Sequence, residues 1–161
     1  MQIIRASLAD LADAQLLLSE YYEAISVTVR DSPEEIAAFL SGGAAGLWLA
    51  YVEGVPAGCV VLRPLPSLGR AAECKRLYVP ARFRGQGIAH ALLNAMEEYA
   101  AAASLEWVYL DSKDDLTAAL QLYTRRGYQP CERYNDNPQA TVFLRKNLLE
   151  HGGMERQTRI S

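Results

Sequence analysis

RFRGQGIAHALL (residues 82–93) sets two arginines and two glycines directly before an apolar helical pattern. Ala89, Leu92, Leu93, Met96 and Ala100 keep the i, i+3, i+4, i+7 spacing of a helix with one buried face. Just upstream, AECKRLYVP (72–80) reads as a strand. A strand, a short arginine loop and a helix opening near Gly87 make a good seat for an anion. The first turn of a helix exposes N–H groups without intrahelical partners and carries a partial positive charge. Gly85 and Gly87 let main chain approach oxygen atoms without a Cβ in the way. Arg82 and Arg84 can add charge-assisted hydrogen bonds. The plainer alternative is a glycine-rich turn that binds nothing.

Two familiar phosphate loops do not fit. A nucleoside-triphosphate loop needs GxxxxGK[ST], and no Lys-Ser/Thr pair follows these glycines. The dinucleotide fingerprint GxGxxG finds Gly85 and Gly87 but meets His90 where the third glycine must allow close helix–strand packing. Glu106, the acid at a suitable distance, begins the next strand instead of ending it, and four residues separate Pro80 from Gly85. His90 itself reads as a packing residue of the helix.

The rest of the chain bounds the answer. Its 161 residues suffice for one domain with a core, and 50% hydrophobic with 22% charged residues is ordinary for a globular protein. A net charge of -3 gives no general pull toward nucleic acid or anionic lipid, so any anion site must be local. Cys59, Cys74 and Cys131 are far apart, form no CxxC pair and sit among apolar neighbours, which predicts buried free thiols over a catalytic nucleophile. No His/Cys cluster has metal-ligand spacing, so no metal is expected. The opening MQIIRASLAD lacks the apolar run of a signal peptide, and Glu53, Gly54 and Pro56 break the longest apolar stretch. A cytoplasmic protein without a membrane span is the expectation.

QIIRAS reads as a first strand, and from Asp10 the pattern is helical through Leu11, Ala14, Leu18 and Tyr21 or Tyr22. DSPEEIAAFL carries a helix start, with Ser32 as cap, Pro33 at the first helical position and Glu35 three residues after the cap. LWLAYVEGVPAGCVVLRPL predicts two strands around a Glu53-Gly54 turn. LEWVYLD is a strand whose continuous apolar middle predicts cover on both faces. A helix follows with Leu116, Ala119, Leu120 and Tyr123 on one side, ended by Gly127. GYQPCERY and ATVFLRKNL predict a final antiparallel pair across the turn-rich NDNPQ. The order is strand, two helices, three strands, helix, strand, helix, two strands. This is an α+β fold over residues 1–149, with a polar frayed tail at 150–161.

Arg82-Phe-Arg-Gly-Gln-Gly87 has the [Q/R]-x-x-G-x-[G/A] form, and ALQLYTRRGY (119–128) has the form A-x-x-L-Y-x-x-x-G-[F/Y]. With these two motifs, their spacing and the element order, the chain resembles the GNAT superfamily of acyl-CoA-dependent N-acyltransferases over roughly residues 2 to 147. It departs at Leu116, where many members carry Asn seven residues before the tyrosine. The resemblance implies a single domain with a mixed, mostly antiparallel sheet flanked by helices. It implies acetyl-CoA as acyl donor, its pyrophosphate on the amides of Arg84, Gly85, Gln86, Gly87, Ile88 and Ala89, with Arg82 beside them. The pantetheine arm then follows the edge at Leu77, Tyr78 and Val79 through main-chain hydrogen bonds, much as an added strand would. Tyr123 matches the general acid that protonates the departing sulfur; an ordinary core tyrosine is the alternative.

Acyl transfer to an amine also needs a proton acceptor. Glu73 is the candidate, a carboxylate within apolar alternation, where shelter favours holding a proton. A solvated Glu paired with Lys75 or Arg76 is the alternative. Asp111, at the end of the following strand, can serve instead, contact the acceptor, or cap a helix. The first helices and last strand pair supply Tyr21, Tyr22, Arg133, Tyr134 and Asn135 for a compact polar acceptor. Arg63, Lys75 and Arg76 suit an acceptor carboxylate, so an amino-acid-like amine is expected over a polyamine. Glu20, Glu23 and Asp136 become the residues of interest if polyamines are the substrates. A peptide or protein amine, or a non-catalytic acyl-CoA-binding regulator, are the competing readings, and a homodimer is left open.

Overall fold

Ser7 starts the helical part of the chain. Its hydroxyl accepts from the Ala9 N–H while its own N–H donates to Asp10 at 2.9 Å, closing a capping box on a 3-10 turn, Leu8–Asp10. The chain runs on into α1 (Leu11–Ala24). The second helix, α2 (Pro33–Phe39), starts as the sequence predicts: the Ser32 hydroxyl accepts from the Glu35 N–H, and Glu35 accepts from the Ser32 N–H, both at 3.1 Å. In this computed structural model the described residues are 1–149; the expected tail at 150–161 lies outside them.

The described residues divide into two units, one of Met1–Pro64 with Cys74–Glu98, the other of Leu65–Glu73 with residues 99–149. In the first, β1 (Gln2–Arg5), β2 (Gly46–Val52) and β3 (Val55–Pro64) form an antiparallel meander. Glu53 and Gly54 turn the β2–β3 hairpin with φ of 49° and 77°, the left-handed pair that a two-residue hairpin loop of matching twist requires. Leu47, Leu49, Cys59 and Val61 face α1 and α2 in a core with Leu17, Leu18 and Phe39. The opposite face takes α3 (Ile88–Ala102). A Cβ on Gly58 would lie 3.0 Å from both Ile88 Cγ2 and Leu92 Cδ1, so the helix seats on the strand only because nothing projects there.

In the second unit the start of β4 (Ala71–Tyr78) pairs parallel with β5 (Trp107–Ser112), in register from Ala71↔Trp107 to Glu73↔Tyr109. β5 pairs antiparallel with β7 (Val142–Asn147), which also holds the two-residue β6 (Gln129–Pro130). Helix α4 (Thr117–Arg125) ends where Gly127 takes φ 94° and the Tyr128 N–H reaches back to the Tyr123 carbonyl at 3.0 Å, a glycine C-cap. Hydrogen-bonded neighbours follow the order β1-β2-β3-β4-β5-β7-β6, a mixed seven-stranded sheet with four helices, as the sequence predicts.

Three local expectations change. β5 is not covered evenly: Val108 and Leu110 are buried, while Trp107, Tyr109 and Asp111 are half-buried. Those three share a face with Arg145, whose guanidinium lies 3.9 Å from the Trp107 ring centroid. β6 is only Gln129–Pro130; the Cys131 N–H still donates to the Phe143 carbonyl at 2.9 Å, and the chain then leaves into a loop. Cys59 and Cys74 are buried as expected, but Cys131 is only half-buried, at the start of that loop. Among the described residues no helix is long and apolar enough to cross a membrane.

Candidate active site

The glycine loop takes the form an anion seat needs. After Pro80 the chain makes a 3-10 turn at Ala81–Phe83, extends at Arg84, and turns left-handed at Gly85 (φ 81°) and Gly87 (φ 76°). Helical bonding begins with the Ala91 N–H to the Gly87 carbonyl at 3.0 Å, so the N–H groups at the start of α3 lie before the helical ladder. No atom comes within 4 Å of a Cβ built on either glycine, and the first turn of α3 carries no acidic side chain to oppose an anion. Ile88 is buried in the core, so its contribution to a ligand is its N–H. His90 is exposed and does not pack as expected.

The two arginines of the loop differ. Arg84 folds back so that Nε donates to the Val79 carbonyl at 3.2 Å, bracing the loop against the end of β4. Arg82 is largely exposed, stacks 5.0 Å above Phe83, and lies 3.9 Å from Glu20, too far for a hydrogen bond. Leu77, Tyr78 and Val79 are half-buried, and the Tyr78 ring meets Tyr21 edge-on at 6.1 Å.

Arg76 breaks the strand rule just before that segment. It has φ 60°, a left-handed conformation that costs a non-glycine residue about 1–2 kcal/mol. Hydrogen bonds and a ring contact hold it there. The guanidinium donates to both oxygens of Asp31 at 3.0 and 3.4 Å, and to the Val29 carbonyl at 3.3 Å. Its plane lies over Tyr22 at 5.3 Å. From below, the Cys59 thiol donates to the Arg76 carbonyl at 3.4 Å. Burial pushes that thiol up to about 12, which rules it out as a thiolate nucleophile.

Asp31 is the hub of this group and was not singled out from the sequence, where it reads as a residue before a helix cap. Its side chain is 2% exposed and takes Arg76, Lys75 at 3.7 Å and the Tyr22 hydroxyl at 2.8 Å. Burial works against its charge, but the Arg76 hydrogen bond, the Arg76 and Lys75 charges and the Tyr22 hydroxyl outweigh it and hold the carboxyl below its ordinary value. Burial, then Asp31, pushes the Tyr22 phenol up to about 12. Tyr22 and Arg76, two of the expected acceptor contacts, are thus joined to each other through Asp31. A group with a lowered folded value stabilises the fold above its ordinary value of 3.8 and loses that contribution as pH falls through the lowered one. Asp31→Asn should destabilise the protein at pH 7 by about 3–5 kcal/mol, because it leaves two cations without their anion. Its denaturant midpoint should then depend less on pH in acid than that of the wild type. An unchanged midpoint at pH 7 would show that the cluster adds nothing to stability.

The other expected contacts gather elsewhere, in the second unit. Glu73 is 4% exposed, and its Oε2 accepts from the Tyr134 hydroxyl at 2.8 Å and from Asn135 Nδ2 at 3.1 Å. The same Nδ2 donates to Asp111 Oδ2 at 2.7 Å, and Asn137 Nδ2 lies 3.4 Å from both Asp111 oxygens. The loop bearing these residues organises itself. Arg133 donates to the carbonyls of Asn135, Asn137 and Ala140, and its guanidinium lies 4.5 Å from the Phe143 centroid. The Tyr134 ring stands between Tyr109 (5.1 Å) and Phe143 (5.7 Å), which aims its hydroxyl at Glu73. Glu73, Asp111, Tyr134 and Asn135 are therefore one cluster, with Asn137 as a fifth member hidden in the turn-rich NDNPQ. Chemically it is a pair of carboxylates held by neutral donors, able to take a proton.

Tyr123 is buried on α4, with its ring edge-on to Tyr128 at 5.8 Å. Among the described residues no group of three His, Cys, Asp or Glu side chains is placed to hold a metal ion.

A family model described as the Acetyltransferase (GNAT) family matches residues 12–128. An uncharacterized N-acetyltransferase of Schizosaccharomyces pombe is 30% identical over 146 residues, covering 86% of this chain and 89% of its own. A GNAT-family acetyltransferase structure from Staphylococcus aureus Mu50 matches with a TM-score of 0.77 at 18% identity, over 91% of this chain and 98% of that one. The PaiA N-acetyltransferase of Thermoplasma acidophilum, solved in complex with coenzyme A, matches with a TM-score of 0.69 at 15% identity, over 91% and 98%. At such identities the two structures speak for the fold.

Proposed function

This chain belongs to the GNAT family of acetyltransferases, and we propose that it transfers an acetyl group from acetyl-CoA to the primary amine of a small acceptor by direct attack. The observation that carries the cofactor reading is the loop: two left-handed glycines with open space before them, at the start of a 15-residue helix with no acid in its first turn. The PaiA relative binds coenzyme A, which supports the same use here. Acetyl-CoA supplies a thioester carbonyl and a thiolate leaving group. In this reading the amides of Arg84 to Ala89 hold the pyrophosphate and the main chain of Leu77 to Val79 lines the pantetheine arm. A main-chain N–H of that segment stabilises the oxyanion as the amine nitrogen bonds to the carbonyl carbon. Glu73 takes the proton the amine gives up. Tyr123 gives one to the sulfur as the C–S bond breaks.

The acceptor contacts stay with Asp111 and Tyr134 in the carboxylate cluster. Arg76 and Lys75, expected from the sequence to suit an acceptor carboxylate, already pair with Asp31 at 3.0 and 3.7 Å, so an acceptor carboxylate would share them with it.

Gly87→Val tests the loop. A β-branched residue at φ 76° costs about 1–2 kcal/mol in strain, small against a folding stability of about 5–15 kcal/mol. The same side chain fills the space proposed for phosphate. Calorimetry should find acetyl-CoA affinity reduced at least about tenfold in a folded protein, the equivalent of ~1.4 kcal/mol. Unchanged affinity would remove the loop from the cofactor site.

A further inference from the structure

We propose that Asn135 is a positioning residue, whose one amide group holds the Glu73 and Asp111 carboxylates as a unit, and not a contact for the acceptor. The inference rests on the reading of Glu73 as proton acceptor. Its geometry fixes which way the amide faces. The Asn137 N–H, which can only donate, meets Asn135 Oδ1 at 3.1 Å. The Nδ2 end therefore faces the carboxylates, and its two protons go one to Glu73 Oε2 and one to Asp111 Oδ2. An amide so placed has no N–H left to offer an acceptor.

The loop keeps it there. Asn137 repeats the same turn on the Gln139 N–H at 3.1 Å, and Arg133 ties the carbonyls of Asn135, Asn137 and Ala140. Two carboxylates brought to one nitrogen repel each other, and the bridging donor offsets that repulsion. Around Glu73 stand Tyr134 and Asn135 from the loop, with Tyr109 and Asp111 from β5. Arg145 of β7 donates to the Tyr109 hydroxyl, and Lys75 and Arg76 farther along β4 pair with Asp31. Loss of the Asn135 bridge leaves the two carboxylates facing each other without their shared donor.

Side-chain amide NMR on the intact chain tests the bridge without any acceptor, with the Asn135 signals identified by their loss in Asn135→Ala. Two well-separated, slowly exchanging protons are expected. Glu73→Gln should move mainly one of them and Asp111→Asn mainly the other. Fast exchange, or indifference to both substitutions, would overturn the inference. The kinetic arm uses acetyl-CoA with propylamine as a minimal primary amine. Asn135→Ala should lower kcat about tenfold and move the acidic limb of the pH profile upward, with the propylamine KM unchanged. Asn135→Asp should move the limb further. A raised KM with a fixed limb would make Asn135 an acceptor contact after all. If Glu73→Gln keeps the wild-type acidic limb, the proton-acceptor reading fails while the amide spectra still decide the bridge. If propylamine is not acetylated, the spectra alone decide.

Discussion

Tyr123→Phe should lower turnover ~100- to 10,000-fold, the usual worth of a positioned general acid, and leave acetyl-CoA affinity unchanged. The substitution removes one oxygen. The ring stays buried on α4 and keeps its edge contact with Tyr128, and the Tyr123 carbonyl still accepts from the Tyr128 N–H at the C-cap. Stability should change by no more than about one hydrogen bond, ~1 kcal/mol. A loss confined to turnover therefore reports on the chemical step, where a thiolate must leave. Steady-state thiol release beside calorimetry separates turnover from binding. Wild-type turnover in the variant would return Tyr123 to the rank of a packing residue.

Glu73→Gln should produce a loss of similar size, ~100- to 10,000-fold, but one that depends on pH. The amine must lose a proton to attack, and this is hardest in acid, so the deficit should be largest there. It should narrow as pH approaches the amine's own pKa, where solvent removes the proton. Gln keeps the shape of Glu, and its carbonyl oxygen can still accept from Tyr134 and Asn135, so the buried cluster need not collapse. An acidic limb identical to the wild type would move the role of base to Asp111 or to a chain of waters.

The sequence made the fold legible where local chemistry acts alone. The Ser32–Glu35 box, the Glu53-Gly54 turn and the Gly127 cap each need only a few consecutive residues, and each lies where its pattern puts it. The conformation of the glycine loop was legible for the same reason, since glycine spacing and a helix start are local. Arg76 was not. Nothing in AECKRLYVP announces a left-handed arginine, because the turn is stabilised by Asp31, 45 residues away in the chain. The residues expected to contact an acceptor show the same limit. Composition placed Tyr22, Arg76, Tyr134 and Asn135 in one notional pocket; the chain assigns two to the Asp31 cluster and two to the Glu73–Asp111 cluster. Asn137 escaped notice because NDNPQ reads as turn chemistry, and its side chain does serve a turn, through the Gln139 N–H, while also reaching Asp111.

Thiol release from acetyl-CoA, followed with and without a panel of primary amines and paired with mass detection of the product, tests most directly whether this chain is a working acetyltransferase. Release should depend on the amine, with one coenzyme A set free for each acetylated amine formed. Tight acetyl-CoA binding with no amine-dependent release across small-molecule and peptide amines would contradict it, and would make the chain an acyl-CoA-binding protein without turnover.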